Sequence, residues 1–163
     1  MNNEMMMEFD AISENESFAR MAVAAFVVSL NPTLEELSDV KTAVSEAVTN
    51  AIIHGYGNYG GYEKGKYQKK DKKVNEGKVY MHCRIVGDVL FADIWDKGAG
   101  IEDLEKAMEP LFTTKPELER SGMGFAFMEA FMDDLEVESA PGEGTKVHMI
   151  KKIGTLPWVS EGE

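Results

Sequence analysis

The sequence predicts an α+β fold in which a mixed, mostly antiparallel sheet is covered on one face by helices, forming a two-layer sandwich. Three observations predict it. Two capping-box motifs, beginning at Ser13 and Thr33, each precede a segment with helical spacing of apolar residues. Two apolar strands flank Gly87-Asp88, a two-residue hairpin signal. A third helical segment, residues 125–132, is followed by a further pair of strands.

Length and composition predict one soluble globular domain. The chain has 163 residues, of which 44% are hydrophobic and 28% charged, enough to bury a core without disulfides or metals. We expect the domain to span 1–155, with a flexible inserted loop at 57–77 and a tail at 156–163. The net charge of -12 repels a nucleic-acid backbone and favours a basic protein partner, so we expect no direct nucleic-acid contact.

The sequence lacks the features of disulfide-bonded, zinc-binding, secreted and membrane proteins. Cys83 is the single cysteine, so no internal disulfide can form, and the three histidines do not have the spacing of a zinc site. The N-terminal residues are acidic and lack the apolar region of a signal peptide. The longest apolar run, residues 21–30, is too short to span a bilayer. We therefore expect a cytoplasmic protein without a membrane contact.

The first helix is expected between the Ser13 capping box and the Asn31-Pro32 stop, after an edge strand in which Met5, Met7 and Phe9 alternate with polar residues. Helical spacing gives it two apolar sides. We expect one of them to be the inner stripe: Phe18, Met21, Ala22, Ala25 and Ser29. The other contains Arg20, Val23, Ala24 and Val27. Spacing alone leaves open whether this second side binds a partner or packs within the domain.

The second helix carries the first candidate site. Its capping box starts at Thr33, Gly55 is expected as its C-terminal cap, and its core stripe is Leu37, Val40, Val44, Val48 and Ala51. Glu46 and Asn50 lie one turn apart on another side, flanked by small residues (Thr42, Ala43, Ala47, Thr49). A carboxylate suits a general base and an amide oxygen suits Mg²⁺, whereas an ordinary solvated helix face is the alternative.

Residues 57–77 contain five glycines and a cluster of lysines without any hydrophobic period, which predicts a surface loop. A basic patch for an acidic partner is possible there, but a solvated loop is the favoured interpretation. The following strands, 78–86 and 89–95, end at Asp96. The motif DKGAG from Asp96 to Gly100 provides a fixed carboxylate acceptor beside Gly98 and Gly100, where a flat ring can approach the backbone. An adenine amino group fits, and a simple turn is the alternative.

A phosphate site is expected at the start of the third helix. Ser121, Gly122 and Gly124 lie in the motif SGMG, where free backbone N–H groups and the positive end of the helix dipole bind anions. The preceding residues 110–120 are predicted to be a mobile lid. Its candidate phosphate contacts are Thr113, Thr114, Lys115 and Arg120, although an ordinary surface loop would have the same composition. The last strand pair follows, at 135–139 and 145–153.

These motifs resemble the ATP-binding core of the gyrase, Hsp90, histidine-kinase and MutL superfamily. Within it, the segments ESFARMAVAAFV, VKTAVSEAVTNAIIHGY and EPLFTTKPELERSGMGFAFMEAFMD resemble the bacterial anti-sigma F factors, a family of serine kinases of sporulating bacteria. The resemblance covers nearly the whole chain except the tail and the loop 57–77, which is longer than the family's connection.

The resemblance implies a histidine-kinase-like ATPase fold with ATP and Mg²⁺ as cofactors. It implies a homodimer that holds a sigma factor inactive and phosphorylates an anti-anti-sigma factor on serine. Arg20 would then contact both partners, and Thr145 would lie beside the adenine. Two alternatives are a related general-stress anti-sigma kinase and an ATP-binding module that sequesters its partner without phosphotransfer. A plain ATPase or a histidine kinase is less favoured, because neither a transducer domain nor a phosphoacceptor helix is recognisable.

Overall fold

A five-stranded antiparallel sheet and a layer of helices form the structure, a computed structural model that describes residues 1–57, 77–109 and 124–154. The strands are β1 (Asn2–Asp10), β2 (Lys78–Val86), β3 (Val89–Asp96), β4 (Asp134–Ser139) and β5 (Thr145–Lys152). The helices are α1 (Glu14–Val27), α2 (Leu34–Asn50), α3 (Leu104–Ala107) and α4 (Gly124–Phe131). The predicted two-layer α+β class is confirmed.

The strand order is β1-β2-β3-β5-β4. The sequence predicts a mixed sheet, but every strand pair in the described part of the chain is antiparallel. The hairpin predicted at Gly87-Asp88 is present, with Val86 opposite Val89. Gly87 has φ +65, a conformation that glycine adopts without strain. β1 forms one edge of the sheet, as its alternating pattern predicts.

The hydrophobic core lies between one face of the sheet and the helices. α1 packs on α2, and α2 packs on α4. Fully buried side chains from the strands include Met81, Ile85, Leu90, Ile94 and Met149, and those from the helices include Val23, Val27, Val40, Val44 and Met128. Cys83 lies in this core, and burial raises the pKa of its thiol to about 12.

The inner stripe predicted for α1 is wrong. Phe18 and Met21 are 58% and 59% exposed, whereas Val23 and Val27 are fully buried. α1 therefore packs with its Ala and Val side inward, whereas Phe18 and Met21 face outward. Small side chains let a helix approach its neighbours closely, which periodicity alone does not reveal. The question left open by spacing is answered, because Val23 and Val27 pack within the domain.

The two predicted capping boxes have different outcomes. Ser13 has helical angles (φ -60, ψ -30) and no side-chain cap bond; instead its Oγ donates to a Glu14 carboxylate oxygen at 3.3 Å. At Thr33 the box is complete: Glu36 N donates to Thr33 Oγ1 at 3.1 Å, and Thr33 N donates to Glu36 Oε2 at 2.8 Å. Only the second prediction is confirmed.

Gly55 is not the C-terminal cap of α2. The helix continues as a π-helical turn, Ala51–Gly55, and the residue with positive φ is Gly57 (φ +70), whose N–H donates to Ile53 O at 3.0 Å. Gly55 has a different role, which concerns the site described below.

Several predictions fall on residues that the structure does not describe. These are the loop 57–77 apart from its two end residues, the lid 110–120 with Ser121 and Gly122, and the tail 156–163. Among the described helices, none combines the length and the apolar character needed to cross a membrane.

Candidate nucleotide site

A cavity of about 510 Å³ opens between the C-terminal part of α2, the loop after β3, the start of α4 and the start of β5. Four of the residues predicted from the sequence line it: Asn50, Asp96, Gly100 and Thr145. Its volume is in the range of small-molecule sites, about 300 to 1,000 Å³. The structure therefore brings together groups that lie far apart in the chain.

Asp96, the last residue of β3, lines the cavity. It is 5% exposed, its Oδ1 accepts the Gly98 N–H at 2.8 Å, and the Thr145 backbone also donates to it. Burial raises the pKa of the Asp96 carboxyl to about 6, although the two backbone donors oppose the shift. A buried carboxylate on a fixed strand end is a suitable acceptor for an exocyclic amino group.

The loop after Asp96 requires its glycines for contacts within the chain. A Cβ on Gly98 would lie 2.0 Å from Gly55 O, and one on Gly100 would lie 1.9 Å from Ala140 O. Ala99 N donates to Gly55 O at 2.8 Å, which ties the loop to the end of α2. Gly100 lines the cavity, but Gly98 is not among its described lining residues. The ligand contact expected of Gly98 stays a prediction.

Thr145 begins β5 beside Asp96. Its Oγ1 lies 2.8 Å from Ser139 Oγ, and Ser139 in turn donates to Gly144 O at 2.9 Å and accepts from Ile101 N at 2.8 Å. Because the Ser139 hydroxyl hydrogen goes to Gly144, the Thr145 hydroxyl is the donor to Ser139, and its lone pairs can accept from a ligand. Sequence analysis missed Ser139, which carries no recognisable motif.

Glu46 and Asn50 meet the first residue of α4. A Cβ on Gly124 would lie 3.1 Å from Glu46 Oε2 and 3.2 Å from Asn50 Nδ2, so a side chain there would displace both groups. Asn50 Oδ1 is buried without a hydrogen-bond partner in the described parts of the chain. Glu46 stands next to Asn50 but is not among the described lining residues. Ala43 and Ala47, expected beside the ligand, are buried, and Ala47 lines the cavity.

The residues fit Mg²⁺ and a nucleotide. A buried amide oxygen without a partner is unusual, since a buried polar atom that remains unsatisfied costs about 1 to 3 kcal/mol. A hard cation would satisfy it. No group of three or more His, Cys, Asp or Glu side chains within residues 1–57, 77–109 and 124–154 could hold a metal. Mg²⁺ does not need such a group, because it retains waters and shares substrate phosphates.

The cavity lining also contains several acidic residues that follow β3. Glu102, Asp103 and Glu109 line it together with Lys106, which the sequence analysis did not single out. A triphosphate there requires further positive charge from a metal or from side chains such as Lys115 and Arg120. Those two, with Thr113, Thr114, Ser121 and Gly122, lie outside the described residues.

Arg20 is separate from the cavity. Its guanidinium lies 3.4 Å from Glu16 Oε1, and its side chain is 39% exposed. Around α1 it lies on the side of Val27, about 100° from the exposed Met21 and about 160° from the exposed Phe18. Arg20 is therefore a partly exposed residue of α1 that does not line the cavity.

Comparison with known proteins defines the class. Residues 11–151 match the family model described as the histidine kinase-like ATPase domain. The structure resembles the crystal structure of the RsbU and RsbW domains of Rv1364c from Mycobacterium tuberculosis, with a TM-score of 0.61 and 17% identity over 93% of this chain and 32% of that longer chain. The predicted histidine-kinase-like ATPase fold is confirmed.

Sequence comparison is more specific. The chain is 52% identical over 153 residues to the anti-sigma F factor of Bacillus licheniformis, covering 94% of each chain. It is 54% identical over 155 residues to that of Clostridium perfringens strain SM101, covering 95% of this chain and 100% of the relative. The chain belongs to the anti-sigma F factor family of histidine kinase-like ATPase domains, as the motifs indicated.

Proposed function

We propose that the cavity binds ATP with Mg²⁺. The convergence of Asp96, Asn50 and the N-terminus of α4 around one cavity is the observation that carries the proposal. Asp96 accepts the adenine amino group, and the Thr145 hydroxyl and the Gly100 backbone lie beside the ring. The phosphates extend towards α4, where Asn50 Oδ1 holds the metal and the first N–H groups of α4 meet the negative charge.

We further propose that the protein is a serine kinase. When bound, Mg²⁺ supplies positive charge that offsets the charge of the phosphates. Glu46 lies one turn from Asn50 and therefore next to the phosphate end. It accepts the proton of the substrate serine hydroxyl as the serine oxygen bonds to the γ-phosphorus and the bond to the ADP oxygen breaks. The lid residues Thr113, Thr114 and Arg120, with Ser121 and Gly122, are the proposed further phosphate contacts.

The names of the relatives support a proposal for the partners. The relatives are named anti-sigma F factors, and we propose that this chain binds a sigma factor and phosphorylates its anti-anti-sigma antagonist. The net charge of -12 favours a basic partner surface. We propose Arg20 as a contact of both partners, and the exposed Phe18 and Met21 of α1 are suited to contact with a partner or with a second subunit of a homodimer. Both steps would take place in the cytoplasm.

A transfer assay tests the function. The purified chain is mixed with γ-labelled ATP, Mg²⁺ and the candidate anti-anti-sigma protein, and label is expected on a serine of that protein. In parallel, retention of sigma factor is measured with and without nucleotide. Retention without any label transfer would favour the sequestering module. Retention of a general-stress sigma factor instead of a sporulation one would favour the related stress-response kinase.

A further inference from the structure

Lys151 is a buried cation outside the cavity. It lies on the inner side of β5 and is 8% exposed; with Asp96 it makes up the buried charged residues of the described chain. Its Nζ donates to Phe131 O at 2.7 Å and to Asp39 Oδ2 at 3.3 Å. Burying an ammonium group is costly unless it is paired and hydrogen-bonded. Lys151 meets this requirement through one carbonyl and one carboxylate.

The position of Asp39 links this pair to the nucleotide site. Asp39 precedes Glu46 by seven residues and Asn50 by eleven, which places each of them within about 20° of Asp39 around α2. α4 contacts the same stripe at both of its ends. Gly124, its first residue, lies against Glu46 and Asn50, and Phe131, its last residue, is held through Lys151 to Asp39.

α4 depends on such contacts because it has eight residues, and isolated helices of that length are not stable in water. At its C-terminus the free carbonyls carry partial negative charge, which a lysine ammonium complements. A shift of α4 along its axis would move its first N–H groups away from Glu46 and Asn50 by the same amount. Anion binding at a helix N-terminus requires those N–H groups in place.

We propose that Lys151 is a positioning residue that, with Asp39, fixes α4 along α2 and thereby places the phosphate-binding start of α4 against Glu46 and Asn50. This inference rests on the proposed ATP site and names one residue pair that tunes it. It assigns to Lys151 an effect on the phosphate end of the ligand and none on the adenine end, since Asp96 ends β3 and Thr145 lies at the opposite end of β5 from Lys151.

Binding of two ligands tests the proposal. Affinities for Mg·ATP and for adenosine are measured by calorimetry on the wild type, Lys151→Met and Asp39→Asn. Lys151→Met is expected to weaken Mg·ATP about tenfold or more, equivalent to the loss of one charge-assisted hydrogen bond, and to leave adenosine within about twofold. Lys152→Met is the matched control, because Lys152 is the next residue and forms an exposed pair with Asp88 at 3.7 Å.

The measured affinities show whether Lys151 has the proposed positioning role. An equal loss of affinity for both ligands, or unchanged affinity for Mg·ATP in a folded Lys151→Met protein, would overturn the positioning role. If Lys151→Met does not fold, Asp39→Asn decides the matter, since it keeps the bond to Phe131 O; it should weaken Mg·ATP about threefold and spare adenosine. A wild type that binds neither ligand would overturn the ATP site itself, and the inference with it.

Discussion

Gly55 lies directly against Asp96. A Cβ on Gly55 would lie 2.7 Å from Asp96 Oδ1 and 2.8 Å from the carboxyl carbon, closer than side-chain atoms tolerate. The end of α2 and the end of β3 thus meet at a point where only a hydrogen atom fits. Through this contact, the backbone of the π-helical turn after α2 fixes the carboxylate that we assign to adenine.

Replacing Gly55 by alanine should therefore impair nucleotide binding. The methyl group has to push the Asp96 carboxylate out of place, and we expect ATP affinity to fall by about tenfold or more in calorimetry. Gly87→Ala is the control. Its φ of +65 strains alanine, but nothing lies within 4 Å of the added methyl, so it should cost about 1 kcal/mol of stability without loss of affinity. Unchanged affinity in Gly55→Ala would contradict the role of Asp96.

Asp96 should also make stability depend on pH. Its folded pKa of about 6 lies above the ordinary value of 3.8 because of burial. Between these values the folded chain binds more protons than the unfolded one, so the contribution of this carboxyl to stability falls as pH rises through the window. Asp96→Asn lacks the titration. Between pH 4 and pH 8, the free energy of unfolding of Asp96→Asn in urea should rise by about 2 kcal/mol relative to that of the ligand-free wild type. Parallel plots of the two free energies against pH would contradict this.

Glu46→Gln tests the proposed general base. The amide has nearly the same shape as the carboxylate but cannot accept the serine proton, so we expect ATP affinity within about threefold of wild type and transfer reduced about 100-fold or more. The readout is single-turnover label transfer to the partner. Glu35→Gln serves as the control, because Glu35 lies in the exposed first turn of the same helix. Normal transfer by Glu46→Gln would remove this residue from the chemistry.

The two helix starts provide a matched pair for stability. Thr33→Ala removes a complete capping box and should lower the free energy of unfolding by about 0.5 to 2 kcal/mol. Ser13→Ala removes a hydroxyl that caps nothing, so a change below about 0.5 kcal/mol is expected. Denaturant unfolding of both variants measures the difference. Equal destabilisation would mean that the Thr33 hydroxyl does not act as a cap.

The exposed side of α1 predicts an effect on association. Phe18→Gln and Met21→Gln place amides on side chains that are more than half exposed, so unfolding should change by less than about 0.5 kcal/mol. If this surface forms the homodimer, light scattering should show dissociation at concentrations where the wild type is dimeric. Leu34→Gln is the control, since Leu34 is 87% exposed at the start of α2. A Phe18→Gln, Met21→Gln double variant that remains dimeric would exclude this surface.

Local patterns predicted much of the fold. The Thr33 capping box, the Gly87-Asp88 hairpin, the stop at Asn31 and the ends of the strands all depend on residues close together in the chain, where turn and cap chemistry act. The position of Asp96 at the end of a strand was predictable for the same reason, because the acidic residue directly follows an apolar strand.

The features that depend on tertiary contacts could not be predicted from the sequence. α1 has apolar residues on two sides, and only the close approach of α2 and the sheet decides that Val23 faces inward and Phe18 outward. The sequence pattern predicts Gly55 as a helix cap. The structure shows instead that a glycine is needed there because Asp96, on another element, leaves no room for a side chain. Lys151 and Asp39 are 112 residues apart, and no local pattern connects them.

Cys83 has a consequence for experiments on all these variants. Its side chain is completely buried and its thiol is held protonated well above neutral pH, so alkylating reagents and disulfide exchange, which need an accessible thiolate, cannot react with the native fold. Labelling of this sulfur therefore counts the molecules that have opened. The extent of Cys83 labelling, measured by mass spectrometry, therefore reports the unfolding of the unmodified sequence without an added probe.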